Sequence, residues 1–254
     1  ARKRIVAAAQ GVLQVTDVVS KERKRRPSPP FTTSTLQQEA SRKLGFTTKR
    51  TMQVAQKLYE GVTIGEEGTV GLISYMRTDS VSLSAEALSE LRDVIARDFG
   101  TRALPDKPNF YQTKSKNAQE AHEAVRPTSA LRTPAQVSRH LSDDERRLYE
   151  LIWKRAVASQ MVPATLNTVS VDLAAGSEHS FRASGTTVID PGFLAVYEEG
   201  KDQKSDDDDE GRKLPAMKTG DRVPLDRIHT DQHFTQPPPR FTEAALVKTL
   251  EEYG

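Results

Sequence analysis

The hydrophobic period of this 254-residue chain changes at Pro163, and that change constrains the fold more than any other feature. Before it, apolar residues recur at helical spacing behind recognisable caps. After it they alternate, with β-branched residues and glycine punctuation. Ser34 with Gln37 fits a capping box, Leu36, Ala40 and Leu44 share a face, and Gly45 stops the helix. Thr48 is the expected cap of a second helix, with Met52, Ala55, Leu58 and Tyr59 on its apolar side and Gly61 at its end. Ser84 caps a third, with Leu88, Leu91 and Ile95 inward and Gly100 as its stop. Asn117 and Glu120 predict a short helix through Val125. Pro134 starts another, and Ser142 with Glu145 caps a long one carrying Leu148, Leu151, Ile152 and Ala156. Residues 168–173, 179–189 and 222–230 read as strands, and residues 4–20 suggest a strand or two. Thr242 caps a last helix with Leu246, Val247 and Leu250 inward.

The early strands are too few to bury a face alone, and the later ones supply their partners. The expected fold class is therefore α+β: a helical domain over 32–163 inserted into a β-rich, arch- or barrel-like domain built from 1–31 and 164–236. Residues 237–254 read as the start of a further helical domain. Two helices over 34–61 followed by a strand at 69–76 predict a helix-turn-helix with a wing. Lys49, Arg50 and Lys57 lie on its second helix. Such helices often enter a DNA groove, although many helix pairs merely pack.

Charge gives no overall polyanion signal, because 37 basic and 35 acidic residues leave a formal +2. It is segregated, with Lys21-Glu22-Arg23-Lys24-Arg25-Arg26 at one place and Asp206-Asp207-Asp208-Asp209-Glu210 at another. Both runs have an ordinary reading as solvated linker or loop tip. The absence of cysteine excludes disulfides and thiolate zinc sites and fits a reducing cytosol. No stretch approaches the ~20 apolar residues of a membrane span, and no signal peptide opens the chain. The chain starts without methionine and stops near the end of a helix, so both ends resemble boundaries of a longer protein.

One block carries chemistry. In Gly71-Leu72-Ile73-Ser74-Tyr75-Met76-Arg77-Thr78-Asp79-Ser80 an apolar run ends in a phenol, with a guanidinium two residues on. A phenol is a possible covalent nucleophile, and a forked, permanently charged guanidinium suits a phosphate oxygen. In a strand, positions 75 and 77 point to one face, where a single phosphate meets both.

This block resembles the active-site signature of the type IA DNA topoisomerases. Four further segments match the family in order and spacing: Pro30-Phe31-Thr32-Thr33-Ser34-Thr35-Leu36-Gln37-Gln38, Ala55-Gln56-Lys57-Leu58-Tyr59-Glu60, Gln119-Glu120-Ala121-His122-Glu123-Ala124-Val125-Arg126-Pro127, and Pro238 to Val247. Met76 resembles the bacterial topoisomerase I branch, and Ser74 stands where many members have threonine. The resemblance implies that Tyr75 attacks one DNA strand and stays joined to its 5′ phosphate while Arg77 holds the scissile phosphate. It implies DNA contacts for His122 and Arg126. His122-Glu123 lacks the second histidine of a zinc-protease helix. In the family, Mg²⁺ is held by an acidic cluster in a separate N-terminal Toprim domain, which this sequence lacks, and a Gly-Arg-Pro-Ser-Thr motif that follows the last helix is also missing. The resemblance thus implies the middle piece of a monomeric, cytoplasmic, nucleoid-associated enzyme acting on single-stranded DNA, inactive by itself and with no cofactor or metal of its own. Two other readings remain open: a non-catalytic single-stranded DNA-binding module, and a structural fragment with no affinity for DNA.

Overall fold

A computed structural model describes residues 2–112, 123–201 and 213–253. It is a mixed helix-and-sheet protein. In chain order the elements are α1 (Arg2–Ala9), β1 (Val12–Arg25), α2 (Thr33–Leu44), α3 (Thr48–Glu60), β2 (Val62–Thr63), β3 (Thr69–Val70), α4 (Ala85–Phe99), α5 (Pro134–Val137), α6 (Asp143–Ser159), β4 (Ala164–Ala175), β5 (His179–Asp190), β6 (Arg222–Pro224) and α7 (Glu243–Tyr253). They form two compact units. The described residues of one are 2–25, Ala164–Pro191 and 213–239; those of the other are 26–112, 123–163, 192–201 and 240–253.

The first unit is an antiparallel sheet in the order β5-β4-β1-β6. Its core is Val15, Val171 and Leu173, with Leu13, Val18, Val169, Phe181 and Val223 against it. Val15 and Val18 are three apart, which in an unbroken strand would send them to opposite faces. A bulge at Thr16 absorbs the odd residue, so that Val15 opposes Leu173 and Val18 opposes Val171 on one face. The Thr16 hydroxyl donates to the Asp172 carbonyl at 3.1 Å. The other face carries cross-strand polar pairs, Thr168 with Thr186 at 3.0 Å and Ser170 with Ser184 at 3.3 Å.

Residues 4–9, expected to be extended, are helical. Three successive alanines, Ala7 to Ala9, favour the helix, and Gln10 and Gly11 turn the chain into β1 with positive φ. The strand expected over 222–230 stops at Pro224, because β6 pairs with Val12–Gln14 and the edge it follows ends where that turn begins.

The second unit is built around α6, whose Leu148, Tyr149, Ile152 and Ala156 are fully buried. The polar tips on this helix are satisfied, Tyr149 donating to the Arg132 carbonyl at 2.6 Å and Trp153 to the Ala130 carbonyl at 2.8 Å. Helix α2 begins at a Thr32 cap in a box with Thr35, two residues earlier than Ser34 and Gln37 suggest, and ends at left-handed Gly45. The cap of α3 is Thr47 rather than Thr48. Helix α7 buries Ala244 and leaves Leu246 and Leu250, expected inward, 44% and 62% exposed. Val247, also expected inward, is half-buried, and the helix is tied down at its two ends, where Glu243 accepts the Thr48 amide at 2.7 Å and Glu251 accepts from Gln38 at 3.3 Å.

Residues 192–200 pack on α2 and α6. Tyr197 donates to buried Glu39 at 2.5 Å, which also accepts the Gly200 amide at 3.0 Å and an Arg42 guanidinium N–H at 3.1 Å. Buried Arg155 donates to the Pro29 carbonyl at 2.6 Å, pairs with Glu199 at 2.9 Å, and stacks on Phe31 and Tyr197. Gly192 enters this segment at φ +47, where a Cβ would lie 2.6 Å from the Val162 and Pro163 carbonyl oxygens. No helix among the described residues is long and apolar enough to cross a membrane.

Candidate active site

The segment after α3 is held from both sides. The β2–β3 pairing ends at Val70, short of the strand expected to continue to residue 76. From there Leu72 donates its amide to the Leu58 carbonyl at 2.7 Å and its own carbonyl accepts from Thr128 at 2.9 Å. Ile73 bridges to Pro127 and Phe31 to Val125. The backbone around Val125 is therefore extended, and the short helix predicted through it is not formed there; residues 117–122 lie outside the described residues. Gly71 passes so close to α3 that a Cβ would sit 2.7 Å from the Tyr59 carbonyl oxygen.

Two hydroxyls then fix the turn. Ser74 donates to the Ala124 carbonyl at 2.7 Å and accepts the Arg126 amide at 3.0 Å, while its own amide donates to the Arg126 carbonyl at 2.9 Å. Thr33, at the start of α2, lies 2.8 Å from the Met76 carbonyl oxygen and accepts the Thr78 amide at 2.8 Å. Met76 is fully buried between them. The chain bends at 76–77 instead of continuing as a strand, yet residues 75, 77 and 79 are exposed and 76, 78 and 80 buried.

Tyr75 is 42% exposed, and its ring meets the Tyr59 ring edge-on at 5.3 Å between centroids. Its hydroxyl has no hydrogen-bond partner among the described residues. The contrast with Tyr111, Tyr149 and Tyr197 is sharp. Each of those hydroxyls donates to a carbonyl or carboxylate. Burial also pushes each pKa up, Tyr111 to about 12 and the other two further. Of the six tyrosines, Tyr75 is the one that a rigid, multiply bonded loop presents to solvent with its hydroxyl unengaged.

Arg77 is exposed and makes no hydrogen bond or ion pair to another described residue. It borders an open groove of about 1020 Å³ whose other walls include Lys49, Arg50, Gln53 and Lys57 of α3, with Asp144. Tyr75 and Arg77 thus flank one buried side chain and both border α3. Arg126 sits beside them through its backbone, but its guanidinium is engaged by Glu123 at 2.7 Å and the Pro127 carbonyl at 2.9 Å. His122 lies outside the described residues. Among the described residues no group of three or more His, Asp or Glu side chains is placed to hold a metal ion.

Sequence reasoning set Tyr59 on the buried side of α3, whereas it is 40% exposed and lies against Tyr75. Its position one residue after buried Leu58, about 100° around the helix, was the available signal. Nothing local points to Thr33, which acts on residues 43 and 45 positions away.

A family model described as DNA topoisomerase matches residues 1–254, the whole chain. This chain belongs to the DNA topoisomerase family. A relative from Xylella fastidiosa, DNA topoisomerase 1, is 77% identical over 255 residues, covering all of this chain and 31% of the relative. The DNA topoisomerase 1 of Rickettsia bellii is 50% identical over 241 residues, covering 94% of this chain and 30% of the relative. Among solved structures, full-length topoisomerase I from Thermotoga maritima superposes with a TM-score of 0.81 at 33% identity, covering 99% of this chain and 39% of that one. The chain therefore spans about a third of the length of the curated relatives it matches, and it sides with the bacterial type IA topoisomerase I, as the five sequence segments imply.

Proposed function

We propose that this chain is the tyrosine-bearing part of an enzyme that relaxes negatively supercoiled DNA by cutting and resealing one strand. The observation that carries the reading is Tyr75: an exposed, unengaged phenol on a clamped loop, with an unpaired guanidinium two residues on. In the cutting step the Tyr75 oxygen forms a bond to the scissile phosphorus and the bond to the 3′ oxygen breaks. The phenol loses its proton and the departing 3′ oxygen gains one. The phosphodiester is conserved as a tyrosyl ester, so resealing is the reverse attack and no nucleotide is consumed. Arg77 offsets the charge that builds on the non-bridging oxygens, and its fork suits two of them. The clamps on residues 71–78 matter because misplacing a nucleophile by ~1 Å costs on the order of 100-fold in rate.

Mg²⁺ would supply charge neutralisation in the intact enzyme. Among the described residues no carboxylate set fits it, and no step here is routed through it. The α2–α3 pair and the β2–β3 hairpin serve as the winged element. The helical part, 32–163, acts as the gate, with the β-rich part, 1–31 and 164–236, as its hinge and 237–254 leading into the next domain. The substrate is single-stranded DNA, bound by a cytoplasmic monomer, with His122 and Arg126 as backbone contacts.

The test is trapping of the protein–DNA adduct with denaturant in the full-length enzyme. Tyr75→Phe is expected to abolish the adduct while Tyr59→Phe retains it. An undiminished adduct in the Tyr75→Phe enzyme contradicts the reading. The 254-residue chain by itself is expected not to relax supercoils.

A further inference from the structure

The groove beside Arg77 has walls that the cutting chemistry leaves without a role. Lys49, Gln53 and Lys57 stand at four-residue spacing on one exposed ridge of α3, stepping about 6 Å each time along the axis. Its charged walls are four cations, Lys49, Arg50, Lys57 and Arg77, against one carboxylate, Asp144. That carboxylate is already taken, since it grips Arg50 through two bonds of 2.8 Å. The side chains of Lys49, Lys57 and Arg77 make no hydrogen bond or ion pair to another described residue. The excess is thus three uncompensated positive charges along one open channel.

The ridge is also rigid. Thr47 caps α3, Glu243 accepts the Thr48 amide at 2.7 Å, and Arg50 is pinned between Asp144 and the Phe46 ring. The same helix supplies Tyr59 to the face of Tyr75. A protein partner would need an aliphatic or aromatic anchor. The apolar lining offers only buried Val54 and half-buried Met52. An extended polyanion fits better.

We propose that this groove carries the sugar–phosphate backbone of the strand held at Tyr75, with Lys49 and Lys57 contacting phosphates other than the one that reacts. The inference rests on the strand-cutting reading above and names where the strand runs next. Lys49 and Lys57 then contribute to binding through counterion release and play no part in bond making.

The experiment is equilibrium binding of the 254-residue chain to a fluorescent oligothymidylate over a range of salt concentrations. Each single-strand phosphate contact adds ~0.7 to the slope of log K against log salt. The double variant Lys49→Ala/Lys57→Ala is expected to shallow the slope by about 1.4, and Lys49→Arg/Lys57→Arg to keep it. Gln53→Lys, an exposed position that puts a new cation mid-ridge, is expected to steepen it by about 0.7. An unchanged slope in the alanine pair, or no gain from Gln53→Lys, overturns the groove assignment. If the Tyr75 adduct still forms in the full-length enzyme, only the groove is lost and the cutting reading stands. Polyglutamate displacing the oligonucleotide at equal charge overturns the proposal in favour of an acidic protein partner. No salt-dependent binding by the unchanged chain overturns the groove and counts against the strand-cutting reading as well.

Discussion

Replacing Thr33 with valine should damage chemistry more than it damages the fold. Valine matches threonine in shape but has no hydroxyl, so the Met76 carbonyl and the Thr78 amide both lose a partner at 2.8 Å. The backbone bond from the Thr33 amide to the Thr78 carbonyl, also 2.8 Å, remains. The site is part-buried, so each lost bond costs about 1 kcal/mol and the pair about 2. For a unit of this size that lowers the melting temperature by about 4–8 °C. The loop that loses its tether holds Tyr75 on one side of Met76 and Arg77 on the other. Loosening it by an ångström slows attack by on the order of 10–100-fold. Calorimetry of the chain gives the first number. Rapid quenching of the full-length enzyme on a single-stranded oligonucleotide, with the adduct counted on a denaturing gel, gives the second. Thr33→Ser should restore both. A valine variant that melts with the unchanged chain and forms adduct at full speed would refute the claim that Thr33 positions the loop.

Two further perturbations test the packing around this site. Gly192→Ala forces a Cβ to within 2.6 Å of the Val162 and Pro163 carbonyl oxygens at φ +47, so a loss of roughly 2 kcal/mol or more is expected in denaturant unfolding. Equal midpoints would show that the backbone yields there without cost. Alkali tests the buried hydroxyls. Burial raises the Tyr111, Tyr149 and Tyr197 pKa values, Tyr111 to about 12. A raised pKa means the folded state holds the proton more tightly than a free phenol, whose pKa is ~10. The stability is therefore complete below pH ~10 and falls as the pH rises from there towards the folded values, the Tyr111 contribution being gone by about 12. Lys43, lowered chiefly by burial, opposes this mildly, because its desolvation is relieved as it deprotonates. The share of tyrosinate absorbance that belongs to these three buried phenols should change together with circular dichroism. Phenolate absorbance from all tyrosines near pH ~10 with the helices intact would contradict the burial argument.

What could be read in advance was local. Ser84, Ser142, Pro134, Gly45, Gly61 and Gly100 mark helix ends in the sequence and do so in the structure, because caps act within a turn of themselves. Strands β4 and β5 followed from alternation. Residues 4–9 were misjudged because Ile5 and Val6 look strand-like, while the alanines that follow decide for helix. The face of α7 was misjudged for a different reason. Its leucines are the apolar choice, but the bonds from Glu243 to the Thr48 amide and from Gln38 to Glu251 hold the helix with Ala244 and Val247 inward and the leucines outward. At the candidate site, Tyr75 and Arg77 were legible as residue types in a motif. The Thr33 tether, the Tyr59 contact and the shared groove along α3 were not, since each joins positions that only the folded chain brings together.

The most direct measurement is to locate the covalent bond itself. The full-length enzyme containing this chain, stopped with denaturant on a single-stranded oligonucleotide, is digested with trypsin and the nucleotide-bearing peptide sequenced by mass spectrometry. Cleavage after Lys57 and Arg77 leaves Tyr59 and Tyr75 in one peptide, so fragmentation must separate them. The phosphate is expected on Tyr75; finding it on Tyr59, or on any residue outside 71–80, would contradict the account.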